Sequence, residues 1–226
     1  MFYLIVTILA FCSIAYELLL GQILSAFLGN TVLRYSVTIG LYMLSMGIGA
    51  FVVRDRMLAR PVLALQIVEV ILSVIGGFSL VFLIWVDSTG APGALFSLIA
   101  HSLIIIIGIL SGMEIPLLIG VRNLHVPESD IKVLGLDYIG ACAGALVFAF
   151  VLYPITGLTL AAFLIAGLNA LTGVCLITER RAVPTADRSV FKSLIGTQTA
   201  LGILLVICAW QAPAINEFII TVYLKA

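Results

Sequence analysis

Four carboxylates lie within stretches that are otherwise hydrocarbon: Glu17, Glu69, Glu114 and Asp137. An ionised side chain in lipid is costly, so an acid inside a membrane-spanning segment marks a site for a cation, a proton or a cationic ligand. Supporting groups stand beside them. Tyr16 precedes Glu17, Gln66 lies one helical turn before Glu69, Pro116 follows Glu114 by two residues, and Tyr138 follows Asp137. Pro116 removes a backbone donor and disturbs the turn before it, and broken helices beside polar residues recur at transport sites. The chemistry expected of this set is ligand binding or proton relay. Intramembrane catalysis is not expected, because the chain holds no H-E-x-x-H, no G-x-S-x-G and no paired histidines. His101 reads as a hydrogen-bonding residue, and no metal or cofactor is expected.

The elements that must position these acids are membrane helices. Of 226 residues, 63% are hydrophobic and 10% charged, with a mean hydropathy of +1.28. Soluble domains are about a quarter charged. A crossing needs about 20 apolar residues, and apolar runs between short polar separators predict seven: 2–28, 31–53, 61–86, 93–121, 133–153, 158–178 and 193–210. The fold class is therefore all-α, a single polytopic bundle over 1–226. The tail 212–226 is too short for an ordinary span; it either lies at the interface, with Trp210 and Tyr223 as anchors, or adds an eighth element. Cys12, Cys142, Cys175 and Cys208 fall in different apolar runs without metal-ligand spacing and read as small buried hydrophobes. The N-terminus lacks the basic n-region of a cleavable leader.

Nine of the eleven basic residues (Arg54, Arg56, Arg60, Arg122, Lys132, Arg180, Arg181, Arg188 and Lys192) occupy the second, fourth and sixth connections. The positive-inside rule then predicts a cytoplasmic N-terminus. Counted from the nearest of these residues, Glu69, Glu114 and Asp137 sit roughly 8–14 Å from that edge at 1.5 Å per residue, with Glu17 nearer the middle. Carboxylates sharing one low-dielectric space cannot all stay ionised without cations. Arg34 and His101 lie toward the opposite side, so internal pairing cannot neutralise them all. Small residues share the acids' helix faces, and the pairs Gly108/Gly112 and Gly140/Gly144 suit close helix approach within one chain or in a homo-oligomer.

The stretches AYELLLGQILSAFLGNTVLRYSVTIGLYMLSMGIGAF, GMEIPLLIG and LGLDYIGACAGALVFAFVLYPITGL, with IVE around Glu69, carry a resemblance. From about residue 10 to residue 180 the chain resembles the membrane module of bacterial polyamine aminopropyltransferases, spermidine synthase-like proteins with helices ahead of a soluble catalytic domain. Tyr16-Glu17, Glu114-x-Pro116 and Asp137-Tyr138 with Gly140 and Gly144 are its most specific pieces. The resemblance implies a multi-pass protein of the bacterial inner membrane. It does not carry the transferase activity over, because no soluble Gly-rich nucleotide loop appears, so the chain is expected not to be an enzyme. Two roles remain: binding or moving a small cationic solute, a polyamine being the class implied, or anchoring a separately encoded cytoplasmic enzyme. The bilayer is the expected surrounding, and no nucleic-acid partner is expected.

Overall fold

The computed structural model describes residues 1–125 and 130–217, and holds no strand among them. Its helices are α1 (Phe2–Leu28), α2 (Thr31–Val52), the short α3 (Asp55–Leu58), α4 (Pro61–Ser88), α5 (Gly93–Asn123), α6 (Asp130–Val147), α7 (Tyr153–Cys175) and α8 (Arg188–Trp210). The expected boundaries of the first four spans agree with these to within two residues, and those of the last three to within six. Local chemistry explains where the helices break. Gly29 and Asn30 both take positive φ between α1 and α2, and the Asn30 side chain caps α2 by accepting from the Leu33 N–H at 3.3 Å. Pro61 opens α4 at the position where a missing N–H costs nothing.

Among the described residues six stretches are long and apolar enough to cross a membrane, one fewer than expected, because Ile131–Ala182 counts as a single run of 52 residues. At 1.5 Å per residue such a run is roughly 78 Å long, more than twice a hydrocarbon core of about 30 Å. It contains a π-helical turn at Phe148–Leu152 and is interrupted at Gly157, whose φ of 68° is not helical. Its two halves, α6 and α7, both lie against α1, and α7 also packs on α4 and α8. The run therefore has the length and the break for two crossings.

Helix α1 is the centre of the bundle, in contact with α2, α4, α5, α6 and α7. It is buried nearly all round, from Ile5 to Leu24, as a helix apolar on every face must be. Against it α2 pairs with α5, while α4, α7 and α8 form a second group. Glycines set the closest crossings. A Cβ at Gly112 would overlap the Met46 backbone, one at Gly49 the Ile109 carbonyl, and Cβ atoms at Gly140 and Gly144 the backbone of α1 at Thr7 and Phe11. Both glycine pairs read from the sequence thus serve contacts within one chain.

Polar contacts draw several connections to a common end. Arg60 pairs with Asp187 at 2.9 Å, His125 Nε2 meets Glu179 Oε2 at 2.8 Å, and the Arg122 guanidinium lies 5.2 Å from the Tyr3 ring centroid. The start of the chain and the basic second, fourth and sixth connections therefore share one end of the bundle. The tail continues as helix over 212–217, where Asn216 Oδ1 accepts from Thr159 Oγ1 at 2.6 Å. Residues 218–226, with Tyr223 and the expectation of an interfacial or eighth element there, lie outside the described residues.

Replacing Gly112 by leucine should force α2 and α5 apart, at a cost of about 1–3 kcal/mol or more. Thermal unfolding in detergent should show a lowered midpoint for Gly112→Leu and none for Gly40→Leu, whose added Cβ meets nothing within 4 Å.

Candidate functional site

Three of the four acids meet. Glu17 from α1, Glu114 from α5 and Asp137 from α6 line one partly open cavity of about 50 Å³, together with Ser13, Met46, Ser111 and a few apolar neighbours. Glu17 and Glu114 are 6% and 4% exposed, and Asp137 is half-buried. No arginine, lysine or histidine lines the space. None of these carboxylates ion-pairs with a described residue. The acids reach one point because α1 lies between α2–α5 and α6, so its polar stripe faces α5 on one side and α6 on the other. The crossing at Gly140 and Gly144, which brings α6 onto α1, delivers Asp137 to the cavity from the helical turn before Gly140.

Tyr42 fastens the cavity's upper wall. Its hydroxyl lies 2.9 Å from the Ser13 carbonyl oxygen, to which it donates, and 2.9 Å from Ser111 Oγ, from which it can accept. One side chain of α2 thereby ties α1 to α5 beside Glu17 and Glu114. Tyr42, Ser13 and Ser111 are site residues the sequence reading did not single out as a group. Their signal, hydroxyls near the acids on three helices, becomes visible only when the helices are paired.

Glu69 departs from the shared layer expected from its depth. It does not line the cavity; it is fully buried between α4 and α7, with neither carboxyl oxygen hydrogen-bonded to a described residue. Its surroundings are a second polar cluster. The Asn169 amide donates to the Glu69 backbone carbonyl at 3.3 Å and to Ser73 Oγ at 3.1 Å, and the Gln198 amide reaches Ser73 Oγ at 3.3 Å. Gln66, one turn away, is fully buried and its amide is unpartnered among the described residues. Buried polar atoms of this kind normally hold partners, ordered water included. Glu69 and Asp137 both lie within electrostatic reach of Glu114, so the cluster and the cavity share one field. Asn169 and Gln198 were not anticipated, because neither stands near an acid in the sequence.

The supporting residues scatter. Tyr16 turns away from its neighbour Glu17, packing its ring on Gly76 of α4, with its buried hydroxyl unpartnered among the described residues; adjacent positions on a helix point about 100° apart. Tyr138 is 73% exposed and faces away from the cavity. The helix break expected at Pro116 does not occur: α5 runs through it as one helix from Gly93 to Asn123. Membrane helices tolerate such a proline because neighbouring groups and local adjustments re-satisfy the freed backbone carbonyl.

The fold and the site define a polytopic α-helical protein with helices fit to cross a membrane and an acidic interior. Among known proteins it is similar to the polyamine aminopropyltransferase 2 of Ralstonia nicotianae, at 38% identity over 186 residues, which is 78% of this chain and 35% of that protein. The polyamine aminopropyltransferase of Leptospira interrogans is 34% identical over 80% of this chain and 36% of its own length, and that of Oceanobacillus iheyensis 33% identical over 72% and 32%. The chain thus spans about a third of the length of the curated relatives it matches, and through that segment it is related to the polyamine aminopropyltransferases. No family model and no solved structure matches it. The expectation that the chain is not an enzyme is corrected by these relatives, all of which carry the name of an enzyme. That expectation rested on a nucleotide loop missing from a segment that is a third of such a protein, which is no measure of the activity.

Substituting Tyr42 by phenylalanine should lower stability by about 1–2 kcal/mol, the cost of leaving buried partners unpaired. Unfolding monitored in detergent checks this, with Tyr138→Phe, an exposed position, expected to leave the midpoint unchanged.

Proposed function

We propose that this segment is an inner-membrane module that binds a small cationic solute at Glu17, Glu114 and Asp137, with the Glu69 cluster as an adjoining station for a proton or water. The observation that carries this reading is the convergence of three carboxylates from three helices on one small, partly open cavity that no basic side chain lines. Buried acids so arranged must be protonated or met by a cation. Size narrows the ligand. The cavity, of about 50 Å³ and partly open, has room for a monovalent ion, a hydronium or an ammonium group. A polyamine, the class suggested by the relatives' name, would enter by a terminal ammonium and not as a whole chain.

The test is equilibrium binding of radiolabelled putrescine, spermidine and ammonium to the protein in lipid nanodiscs. Glu114→Gln and Glu17→Gln should each weaken binding at least about tenfold, as loss of a buried charge partner does, while Glu69→Gln should weaken it less. Equal binding by wild type and Glu114→Gln would remove the cavity from the proposal. Absence of binding by the wild type would remove the cationic ligand.

A second reading, an anchor for a cytoplasmic catalytic unit, is favoured by the basic end of the bundle, where Arg60–Asp187 and His125–Glu179 hold connections together. Neutralising Arg54 and Arg56 should then release a partner that co-purifies in stoichiometric amount; co-purification unaffected by the change would count against this surface.

A further inference from the structure

Two concave surfaces outside the acidic interior lie end to end on one helix pair. The first, of about 500 Å³, is formed where α7 passes into α8 and is lined by Arg180, Arg181, Arg188 and Lys192 around Phe191. The second, of about 600 Å³, runs along α7 and α8 within their apolar lengths, between Phe163 and Val174 on one wall and Gln198 and Ala209 on the other. The linings are separated by less than one helical turn: Val174 belongs to the second and Ile177 to the first on one side, Gln198 and Ile195 on the other. The two surfaces therefore form one groove, basic at its end and apolar along its length.

The basic end is more positive than its side chains alone make it. Helix α8 begins with Arg188 and carries no acid in its first turn, whereas a helix N-terminus favours negative charge. The residue placed to cap it, Asp187, makes no capping hydrogen bond, and its Oδ1 accepts from the Arg60 guanidinium at 2.9 Å. Arg180, Arg181, Arg188 and Lys192 are exposed, and none ion-pairs with a described residue. The α8 N-terminus and four cations thus converge where an anion would relieve both.

Length identifies what continues from that anion. From Phe163 to Val174 the apolar wall is roughly 16 Å at 1.5 Å per residue, which is one leaflet of a hydrocarbon core about 30 Å thick. Gly167 and Gly202 line this wall and leave it open, with an added Cβ meeting nothing closer than 3.7 Å. A free phosphate would use the basic end alone. A phospholipid uses both parts.

We propose that the α7–α8 groove is a specific site for an anionic phospholipid, its phosphate held by Arg180, Arg181, Arg188 and Lys192 and an acyl chain laid along the groove. The site is separate from the acidic cavity and stands whether or not that cavity binds a cation.

The test is native mass spectrometry of the protein extracted from vesicles of phosphatidylethanolamine with a minor share of phosphatidylglycerol. Wild type should retain phosphatidylglycerol enriched at least about fivefold over the bulk, the factor that one basic contact near a membrane surface supplies. The combined variant Arg180→Gln, Arg181→Gln, Arg188→Gln and Lys192→Gln should return the ratio to bulk. Gly167→Phe and Gly202→Phe, each filling the groove from a different helix, should do the same while circular dichroism confirms an intact helical fold. Arg54→Gln with Arg56→Gln, which removes charge at the same end but outside the groove, should leave the enrichment in place. The proposal is overturned if wild type shows no enrichment, or if the Arg54/Arg56 variant loses it equally. It is also overturned if inorganic phosphate displaces the lipid and the groove-filling variants change nothing, or if a protein partner is retained in place of lipid.

Discussion

Buried carboxylates without counter-charges govern this structure. Glu17, Glu114 and Asp137 share a space that no cationic side chain enters, and Glu69 is enclosed with both oxygens unpartnered among the described residues. In water such groups would be ordinary; in a bundle surrounded by lipid each must be protonated, hydrated or met by a cation. The hydroxyls of Ser13, Tyr42 and Ser111 at the cavity and the amides of Asn169 and Gln198 near Glu69 supply polar surroundings but no charge. No basic side chain lines the cavity that Glu17, Glu114 and Asp137 share.

Holding that interior together falls to backbone proximity. Lipid offers no hydrophobic drive for one apolar helix to prefer another, so close packing and interhelical hydrogen bonds must do the work. Gly49 and Gly112 allow α2 and α5 to touch along their backbones, and Gly140 and Gly144 do the same for α6 on α1. These crossings put Glu114 and Asp137 on opposite flanks of α1. The same glycines that stabilise the bundle therefore set the separation of its acids, and a side chain added at either crossing alters both.

Two surfaces divide the remaining chemistry of the molecule. The α1-centred core carries the acids, while the peripheral α7–α8 pair carries a groove that is basic at one end and apolar beyond it. The ion pair from Arg60 to Asp187 links them, because it ties the start of α4 to the start of α8 and at the same time withdraws the acid that would otherwise cap α8. Arg60 is exposed while Asp187 is buried, and the consequence of the pair at α8 is the local field it leaves behind.

Composition and apolar run length were enough to establish an all-helical bundle and to locate its helices, since every backbone polar group in lipid must be paired within its own helix. The clustering of nine basic residues in alternate connections was equally legible, and those connections do meet at one end of the structure. The four acids, too, could be named from sequence alone. Their grouping could not. Depth along a helix is a matter of counting, but azimuth is decided by which helix lies beside which. Glu69, at nearly the same depth as Glu114, lies outside the cavity, with its backbone carbonyl held by Asn169 of α7, whereas Glu17 lines that cavity with groups of α5 and α6. Tyr16 and Tyr138 moved away from the site for the same reason, a rotation of about 100° from their acidic neighbours. Sequence determined what each helix carries and how deep; only the packing around α1 decided which of those groups share a space.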